Sequence, residues 1–282
     1  MVDAHGPDLT GVPFYKMTGS GNDFVFLDGR DARLRALETP DAIRRLCARG
    51  TGVGADGVVW LLPPDGPVAY RMRYRNSDGS IAAMCGNASL CSVALAVRLG
   101  MAPAKERFRF QADAGFLEGR IRPDGLPEVT LTPVRDVAAD AMPAGPGERR
   151  IGFADSGVPH AVVLVDDADA VDLAKRGAEL RHHARFGQAG ANVDFVSPQP
   201  GGRWRMRTFE RGVEGETLAC GTGAAATTAL LNVWNLASRD SLTIETTSGQ
   251  NLVVSIHERD GSFLPALAGE GRLAFEGTVS RL

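Results

Sequence analysis

The chain repeats itself. SGNDFVFLD (20–28) is matched by SGVPHAVVLVDD (156–167), GADGVVWL (54–61) by GANVDFVS (190–197), YRMRYRNSDG (70–79) by WRMRTFERGV (204–213), and Cys85 by Cys220. Four matches in one order, at a nearly constant displacement, mark a duplicated unit. A duplicated unit restricts the fold to two similar bodies, each with the same run of elements.

Local patterns agree between the copies. In the first, apolar or alternating runs near 13–18 and 23–28 predict strands, and TPDAIRRLCARG (39–50) predicts a helix with a Thr or Asp cap and a Gly stop. Strands near 57–62 and 68–75 follow, joined by the turn PPDGP, then an apolar helix over 87–99 and strands near 107–113, 115–121 and 127–132. The second copy runs the same way, with helices near 170–182 and 221–236. The segment PVRDVAADAMPAGPGERR (133–150), rich in Pro, Gly and Ala and without periodicity, reads as a linker. The expected organisation is an extension over 1–12, an N-terminal lobe over 13–140 carrying Cys85, a linker region over 141–150 and a C-terminal lobe over 151–282 carrying Cys220. The fold class is α/β (α+β), with two pseudo-symmetric lobes facing a cleft. In each, a mixed or antiparallel sheet wraps a central helix such as 87–99, which is apolar nearly all round.

Composition narrows the partners. A net charge of −3 over 282 residues, with 44% hydrophobic and 23% charged residues, gives no electrostatic reason to expect nucleic acid or an anionic membrane. The arginines of RYR and RWRMR alternate with apolar residues and read as solvated strand faces. No apolar run reaches the roughly 20 residues of a membrane span, and MVDAHGPDLTG has neither the basic nor the apolar region of a signal peptide. The cytoplasm is the default expectation. In that reducing compartment the four cysteines, Cys47, Cys85, Cys91 and Cys220, are not a disulfide framework, and their spacing fails the C-x-x-C pattern of a zinc site.

Cys85 precedes Gly-Asn and Cys220 precedes Gly-Thr-Gly, each just ahead of a predicted helix. The first backbone N–H groups of a helix lack internal partners, and the summed peptide dipoles place about half a positive charge there. Such a helix start lowers the pKa of a thiol and can also hold a substrate carboxylate. Two thiols on opposite sides of one cleft, one ionised and one protonated, could remove a proton from a carbon acid and return another to the opposite face. The helix-start amides would stabilise the enolate-like charge. Cys47 and Cys91, within apolar helical patterns, read as buried small hydrophobes.

With these residues in place, KMTGSGNDFVFLD, GVGADGVV, RNSDGSIAAMCGN, GVPHAVV, GANVDFV and ERGVEGETLACGTG together resemble the motifs of the diaminopimelate epimerase family, from about residue 14 onward. The resemblance implies an enzyme without cofactor or metal that interconverts LL- and meso-diaminopimelate through two cysteines, in lysine and peptidoglycan-precursor synthesis, and a homodimer. It makes Cys85 and Cys220 the two acid/bases, and Gly86, Asn87, Gly221 and Thr222 the helix-start groups that grip the reacting carboxylate. Asn22, Asn76, Asn192 and Arg211 become substrate ligands, Arg211 offering a fork to a carboxylate. Glu210 pairs with an ammonium or assists a cysteine, and His160 is a further assisting residue. The sequence departs from the family at Val158, where Asn is common, at Ala88 and Leu90 in CGNASLC, and at Gly57. Val158 puts most in question, because it removes a polar contact to substrate.

Two rivals remain. A racemase of the proline type shares this two-lobed build, but its substrate has no distal carboxylate for Asn76, Asn192 and Arg211 to bind. A phenazine-type isomerase lacks the paired cysteines. A binding protein without catalysis would have no use for thiols at two helix starts.

Overall fold

The computed structural model describes residues 11–81, 84–238, 240–259 and 262–279. The expected extension, 1–12, lies outside them as far as residue 10. In chain order the elements are β1 (Val12–Gly19), β2 (Asn22–Asp28), α1 (Pro40–Cys47), β3 (Gly57–Leu62), β4 (Arg71–Asn76), α2 (Gly86–Arg98), β5 (Phe108–Ala112), β6 (Gly115–Ile121) and β7 (Pro127–Thr130). They continue with β8 (Arg135–Met142), β9 (Glu148–Asp155), β10 (Pro159–Val165), α3 (Leu173–Arg181), β11 (Asn192–Gln199), β12 (Arg203–Glu210), β13 (Gly215–Thr217) and α4 (Gly221–Val233). The last are β14 (Leu242–Glu245), β15 (Asn251–Arg259), β16 (Ser262–Ala268) and β17 (Arg272–Val279). Among the described residues no helix is long and apolar enough to cross a membrane.

The chain divides into two compact units, Met1–Val129 with Glu270–Leu282, and Thr130–Gly269. In the first, β1 pairs antiparallel with β2, β2 parallel with β3, β3 antiparallel with β4, and β4 parallel with β5. In the second, β9 pairs antiparallel with β10, β10 parallel with β11, β11 antiparallel with β12, and β12 parallel with β14. The senses match step for step, so the duplication read from the sequence is also a duplication of sheet topology.

Each sheet is buried on both faces, which is why β2, β3, β10 and β11 read as nearly continuous apolar runs. In the first unit Val25, Leu27, Val58 and Trp60 meet Leu34, Leu37, Ile43 and Leu46 on and before α1. Phe24, Phe26 and Val59, one residue out of phase on the same strands, are equally buried, facing the other way. The opposite face takes α2, which packs on β1, β2, β3, β4, β6 and β17. The second unit repeats the plan, with α3 over Val163, Val165, Val193 and Phe195 and α4 enclosed by β8, β9, β10, β11, β15 and β16.

Three expectations change. The segment expected as a linker, 133–150, holds all of β8 and the start of β9, which pair antiparallel. Register shifts at Arg135/Ala138 and Ala138/Met142, and Asp136 at φ 51°, break the alternation that would have shown a strand. The C-terminal segment does not all belong to the second unit, since β17 pairs with β1 from Val12↔Val279 to Thr18↔Arg272. In the first unit β17 occupies the place beside β1 that β8 occupies beside β9. Three helices, α1, α3 and α4, are also shorter than read, whereas α2 has the expected length. Thr39 Oγ1 caps α1 by accepting Ala42 N–H, and Ala48, at ψ 124°, already leaves the helix. Asp172 caps α3 in the same way.

Leu230 of α4 is fully buried, and a Cβ on Gly152 of β9 would lie 2.6 Å from its Cδ2. Leu230→Ala therefore leaves a cavity that β9 cannot fill, and should cost about 3 kcal/mol. Urea unfolding should show a lower midpoint with an unchanged slope.

Candidate active site

In the first unit Cys85 is the N-cap of α2, with extended backbone at φ −132° and ψ 121°, and it is half-buried. Gly86 and Asn87 open the helix and are buried. Asn87 Nδ2 donates to Asn22 Oδ1 at 2.7 Å, and Asn22 Nδ2 donates to Asp56 Oδ2 at 3.1 Å. Because Asp56 can only accept, Asn22 must turn its oxygen to Asn87, and the amide is fixed. Arg49 holds Asp56 at 2.9 Å. Asn76 closes β4 opposite Gly57 and donates through Nδ2 to Ser80 Oγ at 2.9 Å. Since β2 and β3 begin where β4 ends, Asn22, Gly57, Asn76 and the start of α2 share one end of this sheet.

The departures in this half are packing features. A Cβ on Gly57 would lie 2.5 Å from both Arg75 O and Tyr74 Cε2, so the backbone leaves no room for a side chain. Ala88 and Leu90 are wholly buried in α2.

The second unit gathers the other predicted residues at the matching end of its own sheet. Cys220 is the N-cap of α4, 8% exposed, and its Sγ accepts Gly223 N–H at 3.3 Å. Thr222 Oγ1 lies 3.4 Å from that sulfur and 3.0 Å from His160 Nε2. His160 Nδ1 lies 2.7 Å from Asp194 Oδ2, and both side chains are fully buried. Asn192 begins β11, accepts Arg211 N–H through Oδ1 at 2.8 Å, and brings Nδ2 to 3.4 Å from His160 Nε2. Glu210 ends β12. Arg203, Arg205 and Arg207 on β12 are each paired with an acid, whereas none of the described acids lies within ion-pair distance of Arg211. Val158 is half-buried beside β10, in the place that Asn22 holds beside β2.

The helix-start argument expects a lowered pKa for both thiols. For Cys220 the opposite holds. Burial pushes its thiol well up, Glu210 and Asp194 push it further, and the hydrogen bonds from Thr222 and Gly223 offset only part of this. Removing water and adding two negative charges outweighs two donors. Cys47 and Cys91 behave as buried hydrophobes, with burial pushing Cys47 up to about 12 and Cys91 also well up.

Sequence reasoning passed over Asp56, Asp194 and Thr208. The signal for Asp194 was available, since an acid within the apolar run NVDFV is out of place in a buried strand. Among the described residues no group of three or more His, Cys, Asp or Glu side chains is placed to hold a metal ion.

The family model described as diaminopimelate epimerase matches residues 14–136 and 152–270, one stretch in each half of the repeat. The chain belongs to this family. A diaminopimelate epimerase of Gemmatimonas aurantiaca is 49% identical over 279 residues, covering 95% of this chain and 99% of the relative. One from Aquifex aeolicus is 39% identical, covering 95% and 97%. In fold, the chain is similar to a hydroxyproline epimerase from Agrobacterium vitis solved with bound trans-4-hydroxy-L-proline. That match has a TM-score of 0.68 at 20% identity, covering 95% of this chain and 92% of that one.

The four thiols differ in burial: Cys85 is half-buried, and Cys47, Cys91 and Cys220 are buried. At pH 8 Cys47, pushed up to about 12, has about one part in ten thousand as thiolate. Cys91 and Cys220 are also raised and buried. Iodoacetamide at pH 8 should therefore modify Cys85 first, with the other three at least about tenfold slower, as read by peptide mass spectrometry.

Proposed function

We propose that the protein is an isomerase that interconverts LL- and meso-diaminopimelate by a two-base proton transfer between Cys85 and Cys220, without a cofactor. Family membership together with a cysteine at the N-cap of a buried helix in each half carries this reading. The thiolate of one cysteine takes the α-proton. The thiol of the other delivers its own proton to the opposite face, so the stereocentre inverts and the protonation states of the two sulfurs exchange. Gly86, Asn87, Gly221 and Thr222 hold the reacting carboxylate and stabilise the charge that develops on it.

Arg211, with a guanidinium that no described acid neutralises, takes the distal carboxylate. Asn22, Asn76 and Asn192 orient the ammonium and carboxylate groups, and Glu210 pairs with an ammonium. A proline-type substrate would leave Arg211 without an anion, which favours the two-headed amino acid over that rival. The enzyme works as a cytoplasmic homodimer in lysine and peptidoglycan-precursor synthesis, a reading that rests on the family.

Solvent exchange tests chemistry and substrate together. In D₂O, LL- and meso-diaminopimelate should each acquire deuterium at the α-carbon, while proline and glutamate should not; exchange into proline alone would overturn the substrate. Cys85→Ala and Cys220→Ala should each lower epimerisation by at least about a thousandfold with an unchanged circular dichroism spectrum. Retention of most activity by either variant would overturn the two-thiol mechanism.

A further inference from the structure

Among the described residues Ser20, Asp136, Glu214 and Asn235 take a positive φ without being glycine. Asn and Asp tolerate this conformation, and Ser20 opens the two-residue hairpin turn between β1 and β2, which demands it. Glu214, at φ 55° in the turn between β12 and β13, stands where a glycine would sit without strain. The sequence marks the same point. WRMRTFERGV (204–213) matches YRMRYRNSDG (70–79), yet Cys220 lies one residue further beyond its match than Cys85 lies beyond the other. Glu214 is the first residue after the matched stretch. Strain kept at this place calls for something that the side chain supplies.

Glu214 N–H donates to Glu210 O at 2.8 Å, which closes the turn, and Glu214 Oε1 accepts Gly212 N–H at 3.0 Å. The same oxygen accepts Arg181 Nε at 3.2 Å and Nη2 at 3.0 Å. Arg181 is the last residue of α3, with its side chain only 9% exposed, and its charge complements the negative end of that helix. Its Nη1 donates to Ala189 O at 2.8 Å, and its backbone oxygen accepts Ala191 N–H at 3.3 Å. Arg181 thus joins the end of α3, the approach to β11 and the turn after β12. His182 brings Nε2 to 3.3 Å from Glu214 Oε2. The Gly212 amide, ahead of the Arg181 guanidinium, holds the Glu214 carboxyl below the usual carboxylate range, so it is ionised at neutral pH.

Arg211 lies in the same turn. Asn192 Oδ1 holds its N–H at 2.8 Å, so the backbone is fixed on both sides of it. Its guanidinium, half-buried, has no ion-pair partner among the described acids. Left to itself, the carboxylate of Glu214 would be the anion best placed to neutralise it. We propose that Arg181 and Glu214 are a positioning pair for the distal-carboxylate site: they set the turn that presents Arg211 and keep the turn's own carboxylate off its guanidinium.

Two arginines compete for one carboxylate, and burial decides between them. Arg181 is largely out of water and would be left as an uncompensated charge if Glu214 turned away, whereas Arg211 is the more open to solvent. Arg211 therefore stays unpaired until an anion of the right reach arrives, on a backbone that is already set. The carboxylate at the far end of the substrate is not altered by chemistry at the α-carbon. The pair thus acts on binding, equally in the ground state and the transition state, and not on the proton transfer.

This inference rests on the diaminopimelate reading above, but its first readout needs no substrate. Phenylglyoxal attacks guanidinium groups, and one held by a carboxylate reacts more slowly. In Arg181→Met the freed Glu214 can turn to Arg211, so modification of Arg211, read by peptide mass spectrometry, should slow at least about threefold. Adding Glu214→Gln should restore it. With diaminopimelate, Arg181→Met should raise KM about tenfold or more while kcat changes less than about threefold, and the double variant should recover most of the KM. A loss of packing alone would not be mended by a second substitution across the pair. Unchanged Arg211 reactivity in Arg181→Met, or a double variant no better than the single, would overturn the proposal. Should Arg181→Met fail to fold, Arg181→Lys keeps the charge but loses the fork, and should raise KM about threefold, with recovery on adding Glu214→Gln; an unchanged KM there would overturn it equally. The expected reactivities in a protein that does not epimerise diaminopimelate would count against the proposed function and leave the pair standing.

Discussion

The burial of α2 and α4 governs the rest of the molecule. From Gly221 to Asn232 nearly every residue of α4 is enclosed, and α2 is almost as deeply set in its own sheet. A helix hidden along its flanks can offer chemistry only at its ends, and at the start its free amides and dipole favour negative charge. The residue at that start is a cysteine in both halves. The parallel strand pair and the antiparallel strand beside it bring Asn22, Gly57 and Asn76 to the same end in one unit, and His160, Asn192 and Glu210 in the other. The position of the functional groups thus follows from the need to bury an apolar helix inside a curled sheet.

Duplication supplies a frame, and divergence within it supplies function. Between β2, β3 and β4 the inward positions carry Phe24, Val59 and Tyr74. Between β10, β11 and β12 they carry His160, Asp194 and Thr208. Backbone pairing is the same in both, so the substitution of polar for apolar groups has left topology intact. Its cost is desolvation, met because each polar atom in the second set has a partner at hydrogen-bond distance.

Much of this was legible in the sequence. The repeat predicted two similar units, the start of α4 at Gly221 was read correctly from CGTG, and the site residues named from the motifs fall at one sheet end in each unit. What escaped has physical causes. The strand β8 was hidden because two register shifts destroy alternation, and the membership of β17 was hidden because pairing with β1 is non-local. The raised pKa of Cys220 could not be read from a helix start, since it depends on burial and on carboxylates from Asp194 and Glu210, which are distant in sequence. Asp194 itself could have been found by setting GANVDFVS against GADGVVWL, where an acid stands opposite Val58.

The pairing of β1 with β17 carries a consequence for synthesis. During translation the first unit leaves the ribosome with β1 lacking the partner that covers its outer edge, and that partner follows only after the whole of the second unit. The nascent first unit therefore waits with an open hydrogen-bonding edge, while the second unit, whose β8 and β9 are neighbours in sequence, can close as it emerges. Vectorial folding of this chain runs inward from the middle, and the half that is made first is completed last.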